Sequence, residues 1–414
     1  MTQDMSRVIV GASLAGAKAA EALRGAGFDG PVTFIGAEDE LPYERPPLSK
    51  EYLQGKTERA KIYVHPRDWY ADADIDLRLG VRVASIDPVS HEITLGDGDR
   101  VRYAKLLLTT GSSPRRLPAP GADLDGVLYL RTVGDSDRLK ETIAAAQRIA
   151  VIGAGWIGLE VTAAARIAGV EVTVLEVADL PLLRVLGSEV AQVFATLHRE
   201  HGVDLRLGVQ VAEIIGAGGR AAGVRLVDGS EIEADAVVVG VGITPRTELA
   251  EAAGLTVDNG ILVDAQLRSS HPDIYAAGDV ANAFHPLLNR HIRVEHWANA
   301  LNQPQAAARA MIGQDVSYDR VPYFYTDQYD LGMEYSGYVE PDGFDRVVFR
   351  GDVDRREFIA FWLSSEGRVL AGMNVNVWDV NDAIQALVRG QQPVADDVLR
   401  DPSVPLESLV ARPS

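Results

Sequence analysis

Residues 148–176, RIAVIGAGWIGLEVTAAARIAGVEVTVLE, restrict the fold more than any other stretch of the chain. Residues 149–152 are a short apolar run, suited to a strand buried on both faces. Gly153-Ala154-Gly155-Trp156-Ile157-Gly158 follows without a break and completes a G-x-G-x-x-G. A helix-forming run, 159–168, stops at Gly169; residues 171–175 make a second strand, and Glu176 closes it. Gly153 permits the tight turn, Gly155 lets a pyrophosphate approach the backbone, and Gly158 lets helix and strand pack closely. Glu176 stands where a carboxylate accepts hydrogen bonds from ribose hydroxyls. Strand, glycine turn, helix, strand and acid together imply a dinucleotide site. The alternative is a tight turn in some other α/β domain.

The start of the chain repeats this plan. Residues 8–10 form a strand, Gly11-Ala12-Ser13-Leu14-Ala15-Gly16 the turn, 17–27 an Ala-rich helix, 32–35 a strand, and Glu38 the acid. Ser13 replaces the middle glycine and is small enough for a phosphate to reach the backbone. Two such folds in one chain suggest two nucleotides, one held tightly and one exchanging.

A length of 414 residues is enough for about two to four domains. The net charge of -19 argues against general nucleic-acid binding, which needs a basic surface. The sequence contains no Cys, which removes disulfides, thiolate metal sites and cysteine nucleophiles together. Any iron–sulfur cluster held by thiolates must then lie on another protein. His201, His291 and the other histidines show no ligand spacing, so no metal is assigned. No signal-peptide pattern opens the chain and no apolar run reaches about 18 residues, so a cytoplasmic protein without a membrane span is expected.

Between these motifs, residues 39–53, DELPYERPPLSKEYL, carry enough proline for a stiff extended segment rather than a helix. Such a segment can fix Arg45 and Lys50, although a surface loop with solvated charges fits the composition equally. Residues 81–87, 92–95 and 101–103 alternate as a small antiparallel excursion, and 105–109 form a buried strand ending in Thr110-Gly111. Residues 134–147 and 188–201 read as helices, and 203–207, 209–215, 223–227 and 236–240 as strands. The strand at 274–277 delivers Gly278 and Asp279 to its carboxyl end, where ligands bind in open α/β sheets. Residues 298–312 are helical. From 321 the pattern changes to strands at 323–325, 331–338, 346–350, 357–363 and 369–375 with a helix at 380–389, a smaller α+β domain.

Five unrelated stretches in this order, PYERPPLSK (42–50), GWIGLE (155–160), EHWANALNQ (295–303), YFYTDQYDLGMEYSGY (323–338) and SVPLESL (403–409), give the chain a specific likeness. It resembles, over essentially its whole length, the FAD-dependent NADH:ferredoxin reductases of the putidaredoxin reductase and biphenyl dioxygenase reductase type. The resemblance implies an α/β fold with two Rossmann-like dinucleotide-binding domains, the second inserted in the first, plus a C-terminal α+β domain. The boundaries expected are 1–112 with 243–320 for FAD, 113–242 for NADH, and 321–414 for the last domain. The activity implied is hydride transfer from NADH to FAD, then single-electron transfer to a [2Fe–2S] ferredoxin feeding a cytochrome P450 or a Rieske-type oxygenase.

The resemblance also implies site residues. Lys50 would sit near flavin N5 and pair with Glu160. Cofactor contacts would come from Gly11, Ser13, Leu14, Ala15, Gly16, Glu38, Arg45, Pro46, Lys50, Val83, Thr110, Gly111, Arg131, Gly278, Asp279, Glu295, His296 and Trp297. Gly153, Gly155, Trp156, Ile157, Gly158, Glu176, Val241 and Gly242 complete that set. Tyr325 stands where such reductases often carry tryptophan. Docking of an acidic ferredoxin would need a local basic patch, with Arg115, Arg116, Arg290, Arg293, Arg309, Arg346, Arg350, Arg355 and Arg356 as candidates. Disulfide reductases and NADH oxidases or peroxidases with an active cysteine are excluded chemically. A rubredoxin reductase and a redox-sensing flavoprotein like apoptosis-inducing factor stay open, as does the oligomeric state.

Overall fold

A computed structural model describes residues 5–410. Two compact units divide the described chain: residues 5–46, 58–113 and 243–320 form one, and 47–57, 114–242 and 321–410 the other.

The first unit is built on a five-stranded parallel sheet in the order Ile274–Ala276, Lys105–Leu108, Arg7–Val10, Val32–Ile35, Ile75–Arg78. Arg7–Val10 is central and buried along its length, which is why it reads as unbroken apolar sequence after Arg7. Its register decides the chemistry of the unit. Val10 lies level with Ile35 and Leu108, and Leu108 with Ala276. The residues that follow, Gly11, Gly36, Thr109 and Ala277, therefore leave the sheet along one edge. Helix Leu14–Gly25 packs against helix Trp297–Met311, and its buried alanines permit the close approach. Val83–Asp87, Glu92–Leu95 and Arg100–Arg102 form the antiparallel excursion. A second three-stranded sheet, Ile261–Val263, Ala281–His285 and Arg290–Arg293, has no counterpart in the sequence reading.

The second unit repeats the parallel arrangement in the order Asp204–Arg206, Glu171–Leu175, Arg148–Ile152, Ala236–Val239, Val127–Leu128. Ile152 lies level with Leu175 and Val239, so Gly153, Glu176 and Gly240 share an edge. Helix Trp156–Ile167 starts inside the glycine motif, one turn before the sequence pattern suggested, because the last residues of G-x-G-x-x-G are its first turn. The C-terminal residues form a five-stranded antiparallel sheet, in the order Tyr323–Gln328, Leu331–Gly337, Val369–Val375, Glu357–Leu363, Arg346–Asp352. This sheet and the nucleotide fold share one apolar core, in which Leu159, Phe194, Phe324, Tyr335 and Trp362 are buried. The Trp362 indole N–H donates to the Leu186 carbonyl at 3.1 Å and satisfies its one polar atom there.

One expectation fails locally. Pro46–Ser49 is a 3-10 helix, not an extended segment. Proline is tolerated in a first helical turn, where no N–H donor is needed. The chain crosses from the first unit to the second at this point, so Lys50 belongs with residues 114–242.

Candidate functional site

In the first unit the sheet edge gathers Gly11, Glu38, Thr110, Gly111, Gly278 and Asp279. Gly11 has φ 120°, and a Cβ there would collide with the Thr109 carbonyl, so only glycine makes the turn. Ser13 is the N-cap of Leu14–Gly25 yet makes no side-chain cap bond, and no acid lies in the first turn. Leu14, Ala15 and Gly16 are buried in that turn. Glu38 is fixed from two sides: the Tyr43 hydroxyl donates to Oε2 at 2.6 Å and Arg45 Nη2 to Oε1 at 3.3 Å. Burial lowers the pKa of Arg45, but the fields of Tyr43, Glu38 and Asp279 outweigh it and the net shift is upward. The Gly278 N–H donates to Gln303 Oε1 at 2.8 Å, and Asn299 donates to the same oxygen at 3.3 Å. Burial raises the pKa of Glu44, and a hydrogen bond from Trp297 partly offsets that shift. Burial also pushes His296 down to about 4. Thr110 anchors its strand end through a 2.8 Å bond from Oγ1 to the Arg246 carbonyl. Val83 is buried in the core of the unit, Pro46 opens the 3-10 turn, and Glu295 pairs with Arg293.

The second unit has the same construction. Gly153 has φ 100°, and a Cβ there would strike the Gly240 carbonyl. A Cβ on Gly158 would strike the carbonyl oxygen of Gly153. At Gly155 a Cβ would meet nothing within 4 Å: this backbone faces open space. Helix Trp156–Ile167 begins with no side-chain cap and no acid in its first turn. The Glu176 carboxylate is held by two backbone donors, Ala154 N to Oε2 at 2.7 Å and Ala178 N to Oε1 at 2.9 Å. Ile157 is exposed, whereas Trp156 is half-buried and stacks edge-on with Phe194 and Phe324. Val241 and Gly242 follow the last strand, and Arg131 immediately precedes the Thr132 N-cap of helix Val133–Ala145.

Also within the second unit, Lys50 Nζ and Glu160 Oε1 are 2.7 Å apart, with side chains only 7% and 3% exposed. Ser49 Oγ donates to Glu160 Oε2 at 2.5 Å and Thr326 Oγ1 to Oε1 at 2.5 Å. Lys50 Nζ also lies 5.5 Å from the centre of the Tyr325 ring. A buried ion pair is viable only when the remaining lone pairs are satisfied, and these hydroxyls do that.

Sequence comparison places these features in a family. The pyridine nucleotide-disulphide oxidoreductase pattern matches residues 5–304 and a reductase C-terminal pattern matches 323–410. The chain belongs to the pyridine nucleotide-disulphide oxidoreductases. It is 40% identical to rhodocoxin reductase of Rhodococcus erythropolis, covering 99% of this chain and 95% of the relative. It is 42% identical to the anthranilate 1,2-dioxygenase system ferredoxin–NAD(+) reductase component of Burkholderia cepacia, covering 97% and 98%. Among solved structures, the covalent putidaredoxin reductase–putidaredoxin complex matches with a TM-score of 0.93 at 37% identity, covering 98% of both chains. The family is an α/β fold, as the two parallel sheets require.

For this oxidoreductase the donor set fits two dinucleotides. Each glycine turn feeds a helix N-terminus that carries neither side-chain cap nor acid, so its amides and dipole suit an anionic pyrophosphate. Each second strand ends in a carboxylate oriented by its neighbours. Several arginines considered for docking also pair within the chain. Arg346 is bidentate to Asp396 at 2.9 and 2.7 Å. Arg350 donates to the carbonyls of Asp401 at 2.8 Å and Val404 at 2.6 Å. Arg356 pairs with Glu200, and Arg355 lies 3.6 Å from Asp352. Arg116 lies 4.3 Å from the centre of the Tyr129 ring. Arg115, Arg116, Arg290 and Arg309 are exposed. Sequence reasoning missed Tyr43, Gln303, Ser49 and Thr326. Gln303 alone had a signal, its spacing four residues after Asn299 on one helix face.

Proposed function

We propose that this chain is an FAD-containing NADH:ferredoxin reductase that passes electrons one at a time to a [2Fe–2S] ferredoxin serving an oxygenase. The observation that carries this reading is the pairing of two acid-terminated nucleotide folds with a sequence that contains no Cys. A chain without thiols cannot run the disulfide step its family is named for, and the similarity to reductases of oxygenase systems favours an acceptor on another protein. Bound FAD supplies what side chains lack, acceptance of two electrons as hydride and their release singly.

In this proposal residues 1–112 with 243–320 hold FAD, 113–242 bind NADH, and 321–414 complete the protein. Gly11 and the first turn of Leu14–Gly25 hold the FAD pyrophosphate, and Glu38, clamped by Tyr43 and Arg45, holds the adenosine ribose. Asp279 and the segment Glu295-His296-Trp297 contribute at the other end of that site. Gly153–Gly158 and Glu176 receive NADH. Lys50 supplies a positive charge that favours the electron-rich reduced flavin, and Glu160 keeps the ammonium in one position. The cytoplasm, which supplies NADH, is the compartment proposed. No helix among the described residues is long and apolar enough to cross a membrane.

The test is a steady-state NADH assay of the purified yellow holoprotein against a panel of [2Fe–2S] ferredoxins and rubredoxins. Rapid turnover with a ferredoxin is expected. Turnover with rubredoxin alone, or slow oxidation with every carrier, would overturn the assignment.

A further inference from the structure

Behind the Lys50–Glu160 pair runs a line of buried polar side chains drawn from separate elements of the second unit. Thr326 and Gln328 lie two residues apart on strand Tyr323–Gln328 and so face the same side. His198 comes from helix Leu183–Glu200, and Glu160 from helix Trp156–Ile167. Burial is nearly complete: Glu160 is 4% exposed, Thr326 and Gln328 1%, and His198 0%.

The distances give this line a direction. His198 Nε2 lies 2.8 Å from Gln328 Oε1. A carboxamide oxygen can only accept, so Nε2 carries the proton. Nδ1 is then the acceptor, and the Tyr329 hydroxyl stands 3.4 Å from it. The amide of Gln328 thus turns its NH2 to Thr326 Oγ1, at 3.3 Å. With that lone pair engaged, the Thr326 proton points to Glu160 Oε1 at 2.5 Å. Each member donates toward the carboxylate, which also receives Lys50 and Ser49. Core packing alone would be better served by an apolar residue at 198, because a fully buried imidazole gives up its hydration. Burial pushes His198 down to about 4, so it remains a neutral imidazole with one donor and one acceptor.

We propose that His198, acting through Gln328 and Thr326, is a positioning residue that fixes the Glu160 carboxylate, and through it the Lys50 ammonium, so that this charge tunes the flavin's reduction potential. The inference rests on the reductase reading given above and names residues beyond the ion pair. Proton transfer through the Gln328 carboxamide would require its imidic acid tautomer, so the line orients groups and does not conduct protons. Breaking it frees the Thr326 hydroxyl to turn away, and Glu160 loses one of its donors.

Two measurements on the holoenzyme test this. Nitrogen-15 NMR of His198 should report a neutral Nε2–H tautomer; an Nδ1–H tautomer or an imidazolium at neutral pH reverses the line and overturns it. Gln328→Met and His198→Leu should each lower the FAD midpoint potential by about tenfold in the reduction equilibrium, ~30 mV for a two-electron couple. The dissociation constant for NADH should not change. His198→Gln, which retains a donor, should restore the wild-type potential, an outcome that simple packing would not produce. In a Lys50→Met background, Gln328→Met should add nothing; an additive shift would mean that the line acts by another route. An unchanged potential in Lys50→Met itself would remove Lys50 from the flavin and sink the redox half of the inference. Failure with every carrier protein would instead sink the reductase reading while leaving the potentials interpretable.

Discussion

If Glu176 receives the adenosine ribose of NADH, as proposed, the choice between NADH and NADPH turns on its carboxylate. This group cannot swing clear of a bound adenosine ribose, because Ala154 N holds one oxygen at 2.7 Å and Ala178 N the other at 2.9 Å. Each oxygen retains a lone pair for a ribose hydroxyl. A 2′-phosphate would instead bring negative charge against it. Two unit charges about 4 Å apart repel by ~4 kcal/mol at an effective dielectric near 20. Half-exposure and salt reduce this to roughly 2–3 kcal/mol. Arg206, on the neighbouring strand and level with Leu175, is already engaged: it donates through Nε to Asp204 at 2.9 Å. The expected kcat/KM for NADPH is therefore roughly 30–150-fold below that for NADH. Ferricyanide as acceptor keeps the carrier protein out of the measurement. Glu176→Gln removes the charge and should bring the ratio toward unity. Values for the two donors within about threefold of each other, under ~1 kcal/mol, would refute the argument.

Other perturbations follow from the same geometry. Lys50→Met leaves the Glu160 carboxylate buried without its cation and should cost about 3–5 kcal/mol in denaturant titration, with much of the loss recovered in Lys50→Met/Glu160→Leu; a single-variant cost under ~1 kcal/mol would contradict the burial argument. Gly158→Ala places a methyl against the Gly153 carbonyl, which is backbone and cannot yield, so NADH affinity should fall on the order of tenfold with FAD content unchanged, read by stopped-flow reduction and the flavin spectrum. His198 has a folded pKa of about 4, below its ordinary 6.5. Between those values the unfolded chain binds a proton that the folded chain refuses, so its contribution is whole above pH 6.5 and is lost as pH falls, by ~3 kcal/mol near pH 4. His198→Gln should flatten that part of the stability profile, and an unaltered profile would show that the imidazole is accessible to protons in the folded state.

What could be read from the sequence was local. A glycine turn, its strand and its acid lie within thirty residues or so, and steric rules connect them directly, so both sheet edges were legible before any coordinates. The 3-10 turn at Pro46–Ser49 was not, because proline's fixed φ suits a first helical turn as well as an extended segment. Nor was the sheet of Ile261–Val263, Ala281–His285 and Arg290–Arg293, whose short mixed-polarity strands acquire their identity only from each other. The Lys50–Glu160 pair came from resemblance, and its surroundings could not have come from pattern at all. Ser49 and Thr326 lie 111 and 166 residues from the glutamate that they serve. A helix position carrying Glu looks solvated in any window of sequence; what buries this one is a strand from the far end of the chain. The arginines make the converse case. Arg346 and Arg350 read as surface charge available to a partner, yet the fold brings Asp396 and the carbonyls of Asp401 and Val404 to them. Guanidinium groups are as suited to fastening a chain's own terminal segment as to meeting another protein. Local pattern identifies the groups that can do chemistry, and only tertiary placement decides which of them are left free to do it.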